Sequence, residues 1–346
     1  MTGRRRQHRR ALLWDVMRLA VCALFAAALS APAVAATYTV NVQGPLSLGT
    51  VAAAPAGDTV FRIDPAGGGV SVITGAGRRI STPAANALVT VTCRDDRAGE
   101  TTCADAQVAI RIGTIGAITG RARALTNFTV SMGTAVLAAP PAGTNPLAFQ
   151  LAPIGENSPK TFLVGADFPV AGDDSGLASG AGQNSFYVYV VDGSGQMQAG
   201  DSDRGRVTAL RAVAVAKTSD LSFGRIQRPT SGANTVTLNA TSGDRTLSGS
   251  GNGLLYPTPA PVRAAFTITG EGGQQVSISV PATMNLIGPG VIPVTLSDTA
   301  PATRNLSGAA GSQASYSFTV GGSFTLSPAT PVGDYSGVLS VSVDYN

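Results

Sequence analysis

The sequence predicts an all-β protein with two tandem β-sandwich domains of the immunoglobulin type, which follow a cleaved signal peptide. Glycine and proline account for 42 and 21 of the 346 residues, and only 13% of the residues are charged. Glycine and proline interrupt helices and supply the backbone angles of turns. Segments of alternating apolar and polar residues lie between the turns, and several recur in the second half of the chain. We therefore expect many short strands and no extended helical architecture.

Residues 1–35 have the organisation of a secretory signal peptide. An arginine-rich start is followed by an apolar stretch at residues 19–29, and Ala33 and Ala35 form the small-residue pattern that precedes a cleavage site. The apolar stretch is too short to cross a bilayer as a helix, because a spanning helix needs about 20 apolar residues. The leader therefore predicts export to the periplasm, the extracellular space or the cell surface.

Cleavage would leave a mature chain that begins at about Ala36 or Thr37. Translation from either Met1 or Met17 gives the same mature chain. No later segment is long and apolar enough for a membrane span, so we expect no transmembrane helix in the mature protein.

All of the excess positive charge belongs to the leader. Six of the 24 lysine and arginine residues lie in the first 18 positions, together with one acidic residue. Without the leader, 18 basic residues face 19 acidic ones, which gives a net charge near −1. We find neither a basic stripe nor interleaved aromatic residues in the mature sequence, so we expect no binding to nucleic acid.

The composition also argues against catalysis and metal binding. The only histidine, His8, is removed with the leader, and histidine is the usual general base and a common metal ligand. Aspartate pairs at residues 95–96 and 173–174 could contribute to a calcium site, but such a site needs six to eight oxygen ligands and no loop of fixed spacing is visible. We therefore predict a protein that is not an enzyme and has no cofactor or metal.

Two cysteines remain after cleavage. Cys93 and Cys103 flank a polar turn at residues 94–100. In an oxidising exported compartment, such a pair indicates a disulfide across the base of a hairpin. A metal site would need further ligands, and a redox site would need a C-x-x-C spacing.

The strongest internal signal is repetition. Residues 45–51 resemble residues 220–226, and both segments contain Leu-Ser, an apolar residue and Gly. Residues 161–168 resemble residues 317–324 in the same order along the chain. Since chance would not preserve this order, the halves are predicted to share one architecture.

We place the first domain at residues 36–206, including the disulfide, and the second at residues 207–346. We expect about seven strands in each, and strict alternation in several of them indicates a sheet with one face on the core and one in water. A solenoid fits less well, because its repeats would be shorter and more equal. The alternating segments are residues 59–63, 88–91, 108–112, 186–190, 235–238, 266–268, 276–280 and 338–345.

Three segments of the second half carry a resemblance to a known family: residues 221–224, residues 266–270 and the ending at residues 332–346. They resemble a bacterial extracellular domain of unassigned function that is rich in Gly, Ser and Thr and often lies near fimbrial systems. The alternating end with an aromatic residue next to last is also similar to pilins and coat proteins of the chaperone-usher type. The first half matches at residues 46–49 and 161–168, but it lacks the Gly-x-Tyr approach to its last strand.

The resemblance implies an assembly protein whose partners are copies of itself, other surface subunits or a periplasmic chaperone. A sandwich with an open edge can accept an extended segment from a partner by β-augmentation. Both ends of the mature chain alternate suitably, and both could instead be ordinary strands of complete domains. The candidate strand-addition residues are Tyr38, Val40, Val42, Leu339, Val341, Val343 and Tyr345.

The leading functional prediction is a noncatalytic, secreted subunit of a fimbria, a pilus or another surface assembly. The alternative is an adhesin or carbohydrate-binding module that contacts a ligand through variable loops at residues 94–102, 172–184 and 192–206. Self-association that depends on strand exchange would favour the first, and retention of a monomer on glycans would favour the second.

Overall fold

The computed structural model describes residues 36–81 and 83–346. The predicted signal peptide, residues 1–35, lies outside the described residues. Regular structure is almost entirely β-strand, which confirms the all-β prediction. A one-turn helix, α1 (Thr102–Asp105), and a 3₁₀ turn at Asp173–Ser175 are the short exceptions in this part of the chain. Within it, no helix is long and apolar enough to cross a membrane.

The N-terminal half forms two facing sheets. Its strands are β1 (Ala36–Gln43), β2 (Leu46–Ala52), β3 (Thr59–Ile63), β4 (Val70–Thr74), β5 (Arg78–Ser81), β6 (Ala87–Asp95), β7 (Val108–Thr114), β8 (Thr126–Met132), β9 (Leu137–Ala142), β10 (Leu147–Leu151), β11 (Lys160–Val170), β12 (Gly180–Val191) and β13 (Met197–Leu210). One sheet has the order β1-β6-β11-β3-β4, with β8 beside β11, and the other has the order β5-β2-β13-β12-β7-β10-β9.

Side chains from both sheets meet in one hydrophobic core, so this half is a β-sandwich, which we call the first sandwich. Phe61, Phe162, Phe168 and Phe186 are all 0% exposed. Strand β6 shows how the sequence produces this arrangement, because its alternate residues are buried and those between them are half-buried.

The C-terminal half forms the second sandwich, which is built from one larger sheet and two small ones. Its strands are β14 (Ala214–Ser219), β15 (Ile226–Gln227), β16 (Asn234–Leu238), β17 (Arg245–Gly249), β18 (Leu254–Leu255), β19 (Ala264–Glu271), β20 (Gln275–Ser279), β21 (Thr283–Ile287), β22 (Val291–Asp298), β23 (Thr303–Asn305), β24 (Gln313–Leu326) and β25 (Ser342–Tyr345). The sheets have the orders β14-β19-β24-β16-β17, with β21 and β22 attached to β24, then β15-β18, and β23-β20-β25.

Aromatic pairs organise the second core. The rings of Phe266 and Phe318 stack with centroids 5.4 Å apart, and Phe223 meets Phe324 edge to face at 4.9 Å. Three of these four rings remain 6 to 8% exposed, whereas the phenylalanines of the first core are 0 to 4% exposed. The second core is therefore less completely covered.

The repeated Leu-Ser-x-Gly segments form the same local structure in the two halves. Ser47 makes an antiparallel bridge to Ala85, and Ser222 makes one to Val262. In each segment the glycine N–H donates to the serine hydroxyl at 3.3 Å. The two glycines have φ angles of +72° and +69°, a left-handed conformation that favours glycine.

The disulfide joins Cys93 and Cys103, with 5.7 Å between their Cα atoms. The prediction of a bridge between two hairpin strands needs one correction, because Cys103 lies in α1 and Cys93 in β6. The carboxylate of Asp95 accepts the N–H of Cys103 at 2.9 Å, which fixes α1 against the end of the strand.

Two predicted loops and one predicted strand are wrong in their extent. Residues 180–184 and 197–206 belong to β12 and β13, which form a long hairpin around a short turn. The terminal strand predicted at residues 338–345 is shorter, since only Ser342–Tyr345 is paired. Glycines and aspartates in the hairpin obscured its alternation, although close packing requires some of these glycines: a Cβ at Gly205 would overlap the Asn184 side chain.

The predicted domain boundary between residues 206 and 207 falls inside β13, which continues to Leu210. Leu210 and Ala52 pack against the second core although their strands belong to the first sandwich. We keep the division into two domains as a prediction and place the change of core near Leu210.

Candidate strand-addition site

The N-terminal strand β1 lies at the edge of its sheet and pairs antiparallel with β6. Tyr38, Val40 and Val42 are half-buried against the first core, because alternate residues of a strand share one face. Burial and the nearby Asp95 carboxylate raise the pKa of Tyr38. The N–H of Val42 donates to the Asp201 carboxylate at 2.8 Å, so it points away from β6. The N-terminal candidate segment is therefore paired within its own chain in this structure.

The C-terminal strand β25 pairs antiparallel with β20 on one side. Val343 lies opposite Ile278 within this pair. Leu339 and Val341 precede the strand and are half-buried against the second core, as is Val343. Among residues 36–81 and 83–346, no strand pairs with the other side of β25, which we call its free edge.

Strand β12 occupies the matching place in the first sandwich, but it has a neighbour on each side. It pairs with β7 on one side and with β13 on the other. Val188 lies opposite Ile112 of β7, much as Val343 lies opposite Ile278 of β20. Val188 is 0% exposed and Val343 is half-buried. A strand with two neighbours keeps its core-facing side chains covered, which explains this difference.

Strand β13 fills the position between β12 and β2. It runs antiparallel to β12 and parallel to β2. In the second sandwich, the segment that resembles β2 in sequence is residues 221–227, and its last two residues form β15, which is in a different sheet from β25. Its Leu221 and Ile226 are half-buried against the same core as Leu339, Val341 and Val343.

Tyr345 differs from the other candidate residues because its side chain is 9% exposed. Its hydroxyl donates to the C=O of Arg211 at 3.0 Å and accepts the N–H of Glu271 at 2.6 Å. A Cβ at Gly270 would overlap the hydroxyl, so glycine provides the space that the phenol occupies. Burial is the main reason that the pKa of Tyr345 rises from 10.0 to about 12. In this structure Tyr345 belongs to the core, unlike the half-buried Leu339, Val341 and Val343.

Two acidic side chains hold the segment that joins the sandwiches. Glu271 is 1% exposed, and its carboxylate accepts the N–H groups of Arg211 and Gly311. Asp173 accepts the N–H of Ala212 at 2.8 Å and forms an ion pair with the guanidinium of the buried Arg121. Because the bonded residues are far apart in the chain, sequence spacing offered no signal for this junction.

The described part of the chain has no group of three or more His, Cys, Asp or Glu side chains arranged to hold a metal. The Asp173–Asp174 pair, considered above for calcium, makes protein contacts instead. Asp173 binds the junction, and Asp174 accepts the N–H of Gly57 at 3.0 Å.

Comparison with known proteins gives one family match. The model of a family described as a domain of unknown function, DUF4402, matches residues 213–345. The matched region lies within the second sandwich and is less than half of the chain. No curated protein matches the sequence.

Three solved structures from fimbrial systems resemble the chain at low identity. One is the CsuC–CsuE chaperone–tip adhesion subunit pre-assembly complex from the archaic chaperone-usher Csu pili of Acinetobacter baumannii, with 10% identity, a TM-score of 0.25 and coverage of 88% of this chain and 100% of that chain. The second is AggA, the major subunit of aggregative adherence fimbriae type I from Escherichia coli, with 13% identity, a TM-score of 0.21 and coverage of 50% and 95%. The third is a chaperone–tip adhesin complex of CFA/I fimbriae, with 9% identity, a TM-score of 0.21 and coverage of 88% and 98%. Because all three TM-scores are 0.25 or lower, the function proposed below rests on contacts within the chain itself.

Proposed function

We propose that the protein is an exported, noncatalytic subunit of a fimbria or another surface assembly, and that it accepts a β-strand from a partner at the free edge of β25. The observation that carries this proposal is the pairing of β25 on one side only. Val343 in that strand and the preceding Leu339 and Val341 are half-buried, whereas the apolar residues of β12 that face the core are fully buried.

The proposal treats the two sandwiches as copies of one domain. The matching serine bridges and left-handed glycines support this view, as does the pairing of β14 with β19, which parallels that of β1 with β6. In such a pair of copies, the position held by β13 in the first sandwich is open in the second. We call this position, between β25 and residues 221–227, the β25 gap.

An added strand would gain free energy from two sources. Its backbone would pair with the free edge, and each net hydrogen bond contributes about 1 kcal/mol. Its alternate apolar side chains would cover Leu339, Val341 and Val343, at about 25 cal/mol for each Å² of apolar surface removed from water. Main-chain pairing would supply affinity, and the alternate apolar side chains would determine the register of the added strand.

The donor that we propose is β1 of a second copy. It alternates Tyr38, Val40 and Val42 with polar residues, as a strand that enters a half-covered core must. It is an edge strand, so its release breaks strand pairing with β6 only, together with the hydrogen bond from Val42 to Asp201. A periplasmic chaperone that offers an extended segment would protect the same gap before assembly.

A synthetic peptide with the sequence of residues 36–43 tests the proposal. Titrated into the mature protein, it should bind and raise the melting temperature. A peptide of the same composition with its alternation scrambled should do neither. Equal binding of the two peptides, or no binding of the first, would refute strand addition at this gap.

Two protein variants locate the binding. Val341→Lys places a charge among the half-buried residues that border the gap, and Ser342→Lys places the same charge on the exposed side of β25. We expect Val341→Lys to weaken peptide binding at least tenfold and Ser342→Lys to leave it unchanged. Similar losses in both variants would show that the peptide binds by charge or at another site.

A further inference from the structure

The outward face of the sheet that contains β12 carries an organised row of aromatic and basic side chains. Register places Tyr189 beside Arg111 of β7, and Gln183 beside Arg206 of β13. Tyr187 lies between these positions, and Arg204 lies opposite Ser185. We call this set the tyrosine–arginine face: Arg111, Gln183, Tyr187, Tyr189, Arg204 and Arg206.

The two tyrosine rings are held in place by glycines on neighbouring strands. The rings stack with centroids 4.1 Å apart and an angle of 22° between their planes. A Cβ at Gly113 would overlap Tyr187, and one at Gly200 would overlap Tyr189. The glycines let the rings lie close against the sheet. The tyrosine side chains are therefore already ordered, and they lose less conformational entropy when a ligand binds.

The charge of this face has one sign. Among the described residues, the guanidinium groups of Arg111, Arg204 and Arg206 have no salt-bridge partner, and all three are exposed. The neighbouring acids of β13, Asp201 and Asp203, alternate with these arginines and so project from the other side of the strand. The net charge near −1 of the mature chain therefore conceals a local basic strip.

A shallow cavity of about 290 Å³ continues the face at its Arg206 end. Its lining is rich in hydroxyl, amide and guanidinium groups, and includes Ser47, Thr119, Gln183, Arg206 and Thr208. Between the rows of Arg206 and Tyr189, six residues of β13 span about 20 Å at 3.3 to 3.4 Å per residue. The surface is thus an open strip with a polar recess and does not form a deep pocket.

We propose that the tyrosine–arginine face binds an acidic polysaccharide. Guanidinium groups bind carboxylate or sulfate oxygens in pairs, and arginine suits this geometry better than lysine. Aromatic rings provide apolar surface for the C–H faces of sugars, while the recess offers hydrogen bonds to hydroxyl groups. The length and openness of the strip suit a polymer better than a small ligand. This binding is independent of the β25 gap, which lies in the other sandwich.

The test is retention of the mature protein on immobilised polygalacturonate, with neutral dextran as the reference matrix. We expect retention on the acidic polymer alone, and weaker retention as salt rises. The double variant Arg204→Gln/Arg206→Gln should lose at least tenfold in affinity. Arg94→Gln/Arg97→Gln removes the same charge from exposed positions at the end of β6 and in the turn after it, and should retain full binding.

Other results would overturn the proposal. Equal loss in the two double variants would mean nonspecific attraction, and equal retention on dextran would mean that acid groups are not recognised. Tighter binding of single-stranded DNA than of polygalacturonate would assign the face to nucleic acid, because stacked tyrosines and arginines also suit bases and phosphates. Tyr187→Phe should keep the binding, and Tyr187→Ser should weaken it in protein that retains its wild-type melting temperature.

Discussion

Tyr345 connects the terminal strand to the junction between the two cores. One hydroxyl group satisfies the C=O of Arg211 and the N–H of Glu271, which lie in different parts of the chain. Such bonds matter most when their loss leaves buried groups without partners. An aromatic residue next to last in the sequence therefore has a structural role that is separate from any docking of partners.

Removal of this hydroxyl tests the role directly. We expect Tyr345→Phe to lower the free energy of unfolding by about 2 kcal/mol, because it leaves two backbone groups unpaired while it retains the ring. Urea unfolding of the mature protein measures the change. The effect should also depend on pH, since burial raises the pKa of Tyr345 from 10.0 to about 12.

High pH should lower the stability, because the folded protein holds the phenolic proton of Tyr345 more tightly than the unfolded chain does. The folded protein retains the phenolic proton at pH values where the unfolded chain releases it. This contribution to stability is complete below pH 10 and is lost as the pH rises towards 12. Tyr345→Phe should therefore flatten the decline in stability across this window. An unchanged pH profile would show that the hydroxyl is not buried as described.

At the scale of single elements, β1 can either complete its own sandwich or enter another copy. A disulfide between β1 and β6 separates these alternatives, and single cysteine variants at the same positions control for the valine contacts that are lost. Val42 and Val89 are directly opposite each other in the antiparallel pair. Because the N–H of Val42 points away from β6, this is a non-hydrogen-bonded pair, whose Cα separation of about 4.5 Å is within disulfide range.

We expect Val42→Cys/Val89→Cys to form monomers that are secreted normally and do not assemble when oxidised. Each single cysteine variant serves as a control and should assemble. Electron microscopy and size-exclusion chromatography provide the measurement. Normal assembly of the oxidised double variant would exclude β1 as the donor and leave the β25 gap to a different segment.

The eight alternating segments of the sequence all overlap observed strands, because alternation depends on neighbours within a few residues. The cysteine pair was predicted from its spacing and from the export of the chain. The segment at residues 59–63 coincides with β3, and residues 108–112 lie within β7. The hairpin of β12 and β13 was partly missed, because Gly182, Gly200 and Gly205 read as turn residues. Their small size is required by contacts across strands, such as that between Gly200 and the Tyr189 ring.

At the scale of the whole molecule, the two sandwiches share a junction that could not be predicted from the sequence. Glu271 and Asp173 act through backbone amides about 60 and 39 residues away, at Arg211 and Ala212. The basic strip was missed for a related reason, since its arginines come from two strands, β7 and β13, and those of β13 alternate with acidic residues that face the other way. Both the junction and the basic strip depend on which residues of distant strands lie side by side. Spacing along the sequence carries no information about that pairing.

Amide hydrogen exchange, compared between monomeric and assembled protein, tests the central claim most directly. Strand addition at the β25 gap predicts slower exchange in residues 339–345 and 221–227 on assembly, since their free backbone groups would become paired. Assembly that protects other regions and leaves exchange at both of these segments unchanged would contradict it.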